Sequence, residues 1–315
     1  MQETEKEVVK ETKNEAYDRL KEERKNFTHI SFSEFSLFLG CGHKHLIVKY
    51  LELDKDDQSI SLYFGNCIHE SFEWALRDGM SLEDRVKGFR EKFYKQMFEN
   101  MKDHPDFAET ENFMNQGENI IRTFPTDKIA SKYEIVSVEE DLYEPLFGKY
   151  HYKGFVDLIL RNKTNGRYMI VDWKTSGQSW NIDKKMDDDI FMCQMRFYKF
   201  FWGRKHNIDM NLIDCQYIVL NRLKDKKKPD GGYGTPQYVP IVSTFDEIKI
   251  SLTTLANAIK AIHIDKYFMK IKATMPKAEF KHPGCLFCKY KGGKHALCNN
   301  NPDQYKVLLQ EHGKI

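Results

Sequence analysis

GFVDLILRNKTNGRYMIVDWKTS, residues 154–176, is the stretch on which the fold turns. Two runs rich in Val, Ile, Leu and Tyr flank Asn165-Gly166, a dipeptide that tolerates positive φ at both positions and marks a two-residue type I′ hairpin. Such a turn pairs Thr164 with Arg167. Counting back, it sets Asp157 opposite Lys174 and diagonal to Asp172. Side chains alternate between the faces of a strand. Asp157, Asp172 and Lys174 therefore share one face, and Val156, Leu158, Leu160, Met169, Val171 and Trp173 fill the other.

Two carboxylates and an ammonium gathered inside a sheet are costly unless something compensates them. A divalent cation is the natural compensator, since Mg²⁺ favours hard oxygen ligands. The lysine is then placed to orient water or to stabilise a phosphate in flight. Asp-x-Lys alone is more often an exposed salt bridge. Gly154-x-x-Asp157 ahead of it, with apolar residues alternating through both runs, favours catalysis.

Outward from the hairpin, the strand-like runs are Tyr133–Tyr143, Phe147–Leu160, Arg167–Lys174, Ile213–Leu220 and a segment near 237–243. Helices are expected at 31–52, capped by Ser31 or Ser33, and at 64–78, where Ile68, Phe72, Ala75 and Leu76 make one buried face. Further helices are expected over 82–124, 187–204 and 246–271. Strands enclosed between helices make the chain α/β. The chain divides into four regions: a charged arm at 1–28, a helical region at 29–130, a sheet-bearing core at 131–245, and a helix with a cysteine cluster at 246–315.

The 315 residues carry a net charge of only +2, so the sum does not announce a nucleic-acid binder. Acidic metal ligands can hide a basic groove, and charge has to be read locally. One such place is NRLKDKKKPDGGYG, residues 221–234, a basic loop in which Lys226, Lys227 and Lys228 can track phosphates, with a merely solvated loop as the equal alternative. Nothing there reads base edges, so little sequence specificity is expected. No run approaches the roughly 18 apolar residues of a membrane span. The Glu/Lys-rich N-terminus has no apolar signal core. The expectation is a cytoplasmic protein that does not contact a membrane, in a compartment where thiols stay reduced.

Seven cysteines in such a compartment point to metal binding or burial. Cys67, Cys193 and Cys215 lie among apolar residues and read as core thiols. Cys285 and Cys288, two residues apart after Pro283-Gly284, and Cys298 beyond them can hold a metal or a cluster corner. Cys41 stands far upstream, in FLGCGHKH. An iron–sulfur cluster and a zinc site aided by His282 or His295 are both compatible with these thiols, as are structural thiols with no metal.

Gly154-Phe-Val-Asp157 followed by Asp172-Trp-Lys174 resembles the RecB-like branch of the PD-(D/E)XK nuclease superfamily. Two further elements fit that branch: Gly65-Asn-Cys-Ile-His69 on an upstream helix, and Gln194-Met-Arg-Phe-Tyr198 on the helix after the lysine strand. The resemblance implies a restriction-endonuclease-like mixed sheet flanked by helices, with a helical insertion and a metal-stapled C-terminus. It implies DNA hydrolysis with Mg²⁺ or Mn²⁺, the metal held by His69, Asp157, Asp172 and the Trp173 carbonyl, with Lys174 assisting the attack. Gln194 would bond the substrate backbone or Lys174, and Tyr198 would contact DNA. Glu140 is a further residue that can face the pocket, and an edge-strand charge explains it equally well.

The cysteine order is similar to that of iron–sulfur members of the branch, the AddB-type and CRISPR-adaptation nucleases. There, one cysteine before the core and three after it hold a [4Fe–4S] cluster, which here implies Cys41, Cys285, Cys288 and Cys298, with Zn²⁺ as the alternative. The spacing from Cys288 to Cys298 is wider than in that pattern. By analogy with stand-alone relatives, an exonuclease on single strands or duplex ends is expected. It would serve recombination, repair, phage DNA processing or CRISPR adaptation in a bacterial or phage-infected cell, with a helicase or recombination protein as a partner. The competing readings are a structure-specific or restriction-type endonuclease and a non-enzymatic DNA-binding module scaffolded by the cysteines.

Overall fold

The hairpin closes on Asn162. Its side-chain oxygen accepts the backbone N–H groups of Thr164 and Asn165, and its carbonyl accepts Gly166 N–H at 2.9 Å. Only Gly166 of the turn has positive φ, at 70°. The loop is therefore a four-residue turn built on an Asn162 side-chain bridge, and not the expected type I′ turn at Asn165-Gly166. The register moves by two residues, to Leu158 opposite Val171 and Arg161 opposite Tyr168. An even shift keeps every side chain on its face, so the grouping of Asp157 with Asp172 and Lys174 survives.

A computed structural model of the chain describes residues 19–20, 22–50, 59–177, 179–222, 236–264 and 310. Its elements in order are β1 (Thr28–Ser31), α1 (Phe32–Gly40), α2 (Ile60–Leu76), α3 (Leu82–Met101), α4 (Thr110–Thr123), α5 (Thr126–Lys132), β2 (Tyr133–Phe147), β3 (Tyr150–Asn162), β4 (Tyr168–Ser176), α6 (Ile182–Met186), α7 (Asp189–His206), β5 (Ile213–Asn221), β6 (Gln237–Ile241) and α8 (Phe245–Ile259). Ser31 caps α1, accepting Glu34 N–H, and the expected helix from 31 breaks after Gly40 into a short turn at 42–45 and a π turn at 46–50. Thr244 and Glu247 close a reciprocal cap on α8. Strand β1 was not expected, because its four residues carry no run of apolar residues and its partner lies over a hundred positions away.

The six strands form one mixed sheet, ordered β1-β3-β4-β5-β6, with β2 antiparallel along the other edge of β3. One face packs on α1, α7 and α8 through Phe35, Tyr152, Phe197, Phe201, Trp202 and Leu255. The opposite face packs on α2, α3 and α4 through Phe64, Phe72, Phe89, Phe93, Leu158 and Trp173. This is the expected α/β class, with a mixed sheet between helical layers. Among the described residues, no helix is long and apolar enough to cross a membrane.

Two features of β3 create the setting for the acidic residues. First, β1 and β4 share one edge of β3 end to end. β1 pairs with Tyr150–Lys153 and β4 with Leu158–Arg161, so Gly154–Asp157 lie in a notch between the two ladders. Second, strands β2 and β3 exchange faces at this level. Val138 and Leu158 pack toward α2, whereas Val156 joins the core under α7, and Glu140 bonds Trp202 of that core. Val156 therefore leaves the face on which strict alternation put it with Leu158. At the same level Glu139, between those pairs, has φ of 54°, a left-handed backbone that interrupts the period of two along β2.

Glu140 consequently turns away from the notch. It accepts from Ser137, Trp202 and Lys205. Burial works against its charge, but these donors and His206 hold its carboxyl down at about 2. A carboxyl lowered in the folded state stabilises the fold above its ordinary value of 4.5, and that contribution fades as pH falls towards about 2. Glu140→Gln is expected to lower urea stability at neutral pH by about 2 kcal/mol, with the gap to wild type closing across that acidic window. An equal gap at both ends would contradict the assignment.

Candidate active site

Asp157 sits at the notch. Trp173 N–H, which would otherwise meet a strand backbone, donates to Asp157 Oδ2 at 2.7 Å. The carboxylate thus closes the ladder that β3 leaves open. Asp157 and Asp172 are 8% and 2% exposed, so both are buried charges that need compensation. Lys174 Nζ lies 2.6 Å from Asp172 Oδ2, at an angle that leaves this oxygen without a regular hydrogen bond. The ammonium also lies over the Tyr217 ring, 5.5 Å from its centroid.

Helix α2 brings His69. Gly65 and His69 stand one turn apart on the face toward the sheet. A Cβ at Gly65 would already touch Thr175 Oγ1 at 3.5 Å, so the helix lies close over β4. One turn later His69 Nδ1 comes within 3.4 Å of Asp157 Oδ2. Glu139 completes the group: one ligand atom each from His69, Glu139 and Asp157 lie within 4.8 Å of one another. Glu139, and not Glu140, is the upstream carboxylate that faces the pocket. No sequence pattern marks it, because its direction is set by the face exchange between β2 and β3.

Helix α7 supplies the supports. Gln194 Nε2 donates to Asp172 Oδ1 at 3.0 Å and to Tyr198 Oη at 3.1 Å, while Tyr217 Oη donates to Gln194 Oε1 at 3.3 Å. Gln194 therefore holds Asp172, a partner not among the two expected for it, the substrate backbone and Lys174. Tyr198 is 4% exposed, which leaves it no surface for the expected DNA contact. Its ring instead packs on Gly154, where an added Cβ would come within 2.9 Å of Tyr198 and 3.1 Å of Tyr152. The two motifs, Gly-x-x-Asp and Gln-x-x-x-Tyr, are halves of one contact.

The electrostatics match a cation-seeking site. Burial raises Asp172, the charge of Asp157 raises it further, and Lys174 only partly offsets both, so its carboxyl is pushed up to about 6. Burial also opposes the charge of Asp157, but His69, Lys174 and the Trp173 amide hold it below the ordinary range. Burial likewise opposes protonation of His69, and Asp157 overrides it. Hard carboxylate oxygens with one imidazole suit Mg²⁺ or Mn²⁺. The Trp173 backbone is at the site through its N–H, and its ring lies in the core under α2.

The profile of the PD-(D/E)XK nuclease superfamily matches residues 29–292. The chain belongs to that superfamily. Membership carries metal-dependent nuclease chemistry, for which members typically use Mg²⁺ or Mn²⁺, and nucleic acid as substrate. No curated protein matches the chain. A solved structure described as "Crystal structure of SSO0001" aligns at 13% identity over 81% of this chain and 100% of that chain, with a TM-score of 0.29, a likeness too slight to argue from.

Of the other expected residues, Cys41 ends α1 and its Sγ accepts Lys44 N–H at 3.4 Å. Cys285, Cys288, Cys298, Lys226, Lys227 and Lys228 lie outside the described residues. Cys67, Cys193 and Cys215 are buried thiols, as expected.

Gly154→Val should force Tyr198 and Tyr152 apart. The expected cost is about 1–3 kcal/mol of stability, read from denaturant melts, with a fall in nuclease activity larger than the loss of folded protein accounts for. A variant as stable and active as wild type would show that the contact does not position the site.

Proposed function

We propose that the protein is a DNA exonuclease acting on single strands or duplex ends, with its centre formed by His69, Glu139, Asp157, Asp172 and Lys174. The observation that carries the reading is the convergence of these groups at the notch in β3, with Asp172 Oδ2 beside Lys174 and the His69, Glu139 and Asp157 donors within reach of one ion.

His69, Glu139 and Asp157 would hold a divalent cation, and Asp172 and the Trp173 carbonyl would be its further oxygen ligands. When bound, Mg²⁺ or Mn²⁺ supplies Lewis-acid chemistry, neutralising charge on the scissile phosphate and making water more acidic. Lys174 holds the attacking water against Asp172 and stabilises the charge that grows on the phosphate oxygens. Gln194, fixed by Tyr198 and Tyr217, aims Asp172. His69 would act as a ligand in its neutral form, because only the unprotonated imidazole nitrogen can bind a cation. The preference for ends or single strands rests on resemblance to stand-alone relatives with the same motif order.

Cys41, Cys285, Cys288 and Cys298 are proposed to bind a [4Fe–4S] cluster that ties the chain before the core to the chain after it. Zn²⁺ is the alternative occupant. Lys226, Lys227 and Lys228 are proposed to contact DNA phosphates.

Labelled single- and double-stranded DNA incubated with Mn²⁺ or Mg²⁺ tests the activity. Wild type should release short products from ends, and Lys174→Ala should lose about 10³-fold or more. Internal fragments would instead identify an endonuclease, and intact DNA a binding module. For the cysteines, anaerobically purified protein should be brown with broad visible absorption and should lose that colour on Cys41→Ser. A colourless protein containing zinc would overturn the cluster.

A further inference from the structure

Arg222 follows β5 directly, and its N–H bonds Ser176 at the end of β4. Its guanidinium lies 4.4 Å from the Phe113 ring centroid and 5.6 Å from that of Phe64. Nη1 reaches Gln116 Oε1 at a long 3.4 Å. Among the described residues Nε and Nη2 have no acceptor, and neither is sealed from solvent. A Cβ at Gly177 would come within 3.2 Å of Nη2, so a side chain there would press on the fork.

What sets this arginine apart is the absence of an acid. Among the described residues, Arg19, Arg24, Arg77, Arg90, Arg122, Arg161, Arg167, Arg196 and Arg204 each have a carboxylate within 4.0 Å. Arg85 senses Asp127. Arg222 is shifted by burial alone. Half-burying a cation and bracing it with rings orders the fork without spending its donors. A planar fork with open N–H groups is matched to a phosphate.

The place fits the site. Phe64, which braces Arg222, precedes His69 by five residues on α2, about 7.5 Å along the helix axis. Two base-pair steps of duplex DNA, each about 3.4 Å along the duplex axis, rise by a similar amount. Both groups border the ends of β4 and β5, in register from Lys174 opposite Val219 to Ser176 opposite Asn221.

We propose that Arg222 is a phosphate anchor that grips the DNA strand within about two nucleotides of the scissile bond and sets its register on the active site. The proposal rests on the reading of the protein as a DNA nuclease.

Full-length Lys174→Ala protein, binding an oligo(dT) probe over a salt series, provides the test. Adding Arg222→Met, which keeps an apolar stem under the rings, should weaken binding about tenfold and flatten the salt slope by about 0.7, the share of one phosphate. Arg222→Lys should keep most of the slope. Lys95→Gln, an exposed cation on α3, should change neither. A folded Arg222→Met protein with unchanged affinity and slope would overturn the anchor while leaving the nuclease reading intact. Failure of the Lys174→Ala parent to bind any DNA would sink both. A measurement that needs no variant guards against misfolding: oligo(dT) should shield Arg222 from phenylglyoxal, read by mass spectrometry, and equal modification with and without DNA would refute the contact.

Discussion

The structure depends on a single unfilled place in a hydrogen-bonded ladder. β3 is paired along one edge over nearly all its length, but its other edge is shared by two strands that do not meet. A backbone donor facing such a gap must find an acceptor or bear the cost of burial. Trp173 N–H finds the carboxylate of Asp157. That bond fixes a charged group where the sheet would otherwise be weakest, and the remaining site is assembled around it.

Each neighbouring charge is then stabilised by something different. Asp157 is held ionised by His69 and Lys174, and Asp172 is crowded by Asp157 and only partly relieved by Lys174. Gln194 bonds one oxygen of Asp172, and the other faces the ammonium. This imbalance favours a divalent cation, because an added positive charge relieves the repulsion that burial magnifies. Glu139 adds a carboxylate from a left-handed backbone, a conformation that costs about 1–3 kcal/mol for a side chain other than glycine. Such strain persists where the surrounding pairs over-determine it, here β2 and β3 on either side.

The two hydrophobic layers set the geometry at a distance. Phe64, Phe72 and Trp173 seat α2 on the sheet, so His69 arrives over Asp157. Phe197, Phe201 and Tyr152 seat α7 on the opposite face, so Gln194 arrives at Asp172. The site lies where these layers meet through the notch, and a shift of either helix would part ligands that no local bond holds together.

Residues close together in the chain carried most of what the sequence by itself determined. The alternation along the hairpin strands put Asp157, Asp172 and Lys174 on one face, though not in the expected register, and the four-residue spacings of Gly65 with His69 and Gln194 with Tyr198 fixed which helix faces turn inward. Those conclusions survived a wrong turn type because a two-residue slip preserves the face. The tertiary structure decided what depends on contacts between distant segments: strand β1, the notch beside it, the exchange of faces that selects Glu139 over Glu140, and the burial of Tyr198 against Gly154. A periodicity records one strand's own alternation. It is blind to the partner that interrupts it, and the notch exists only where two such partners stop short of each other.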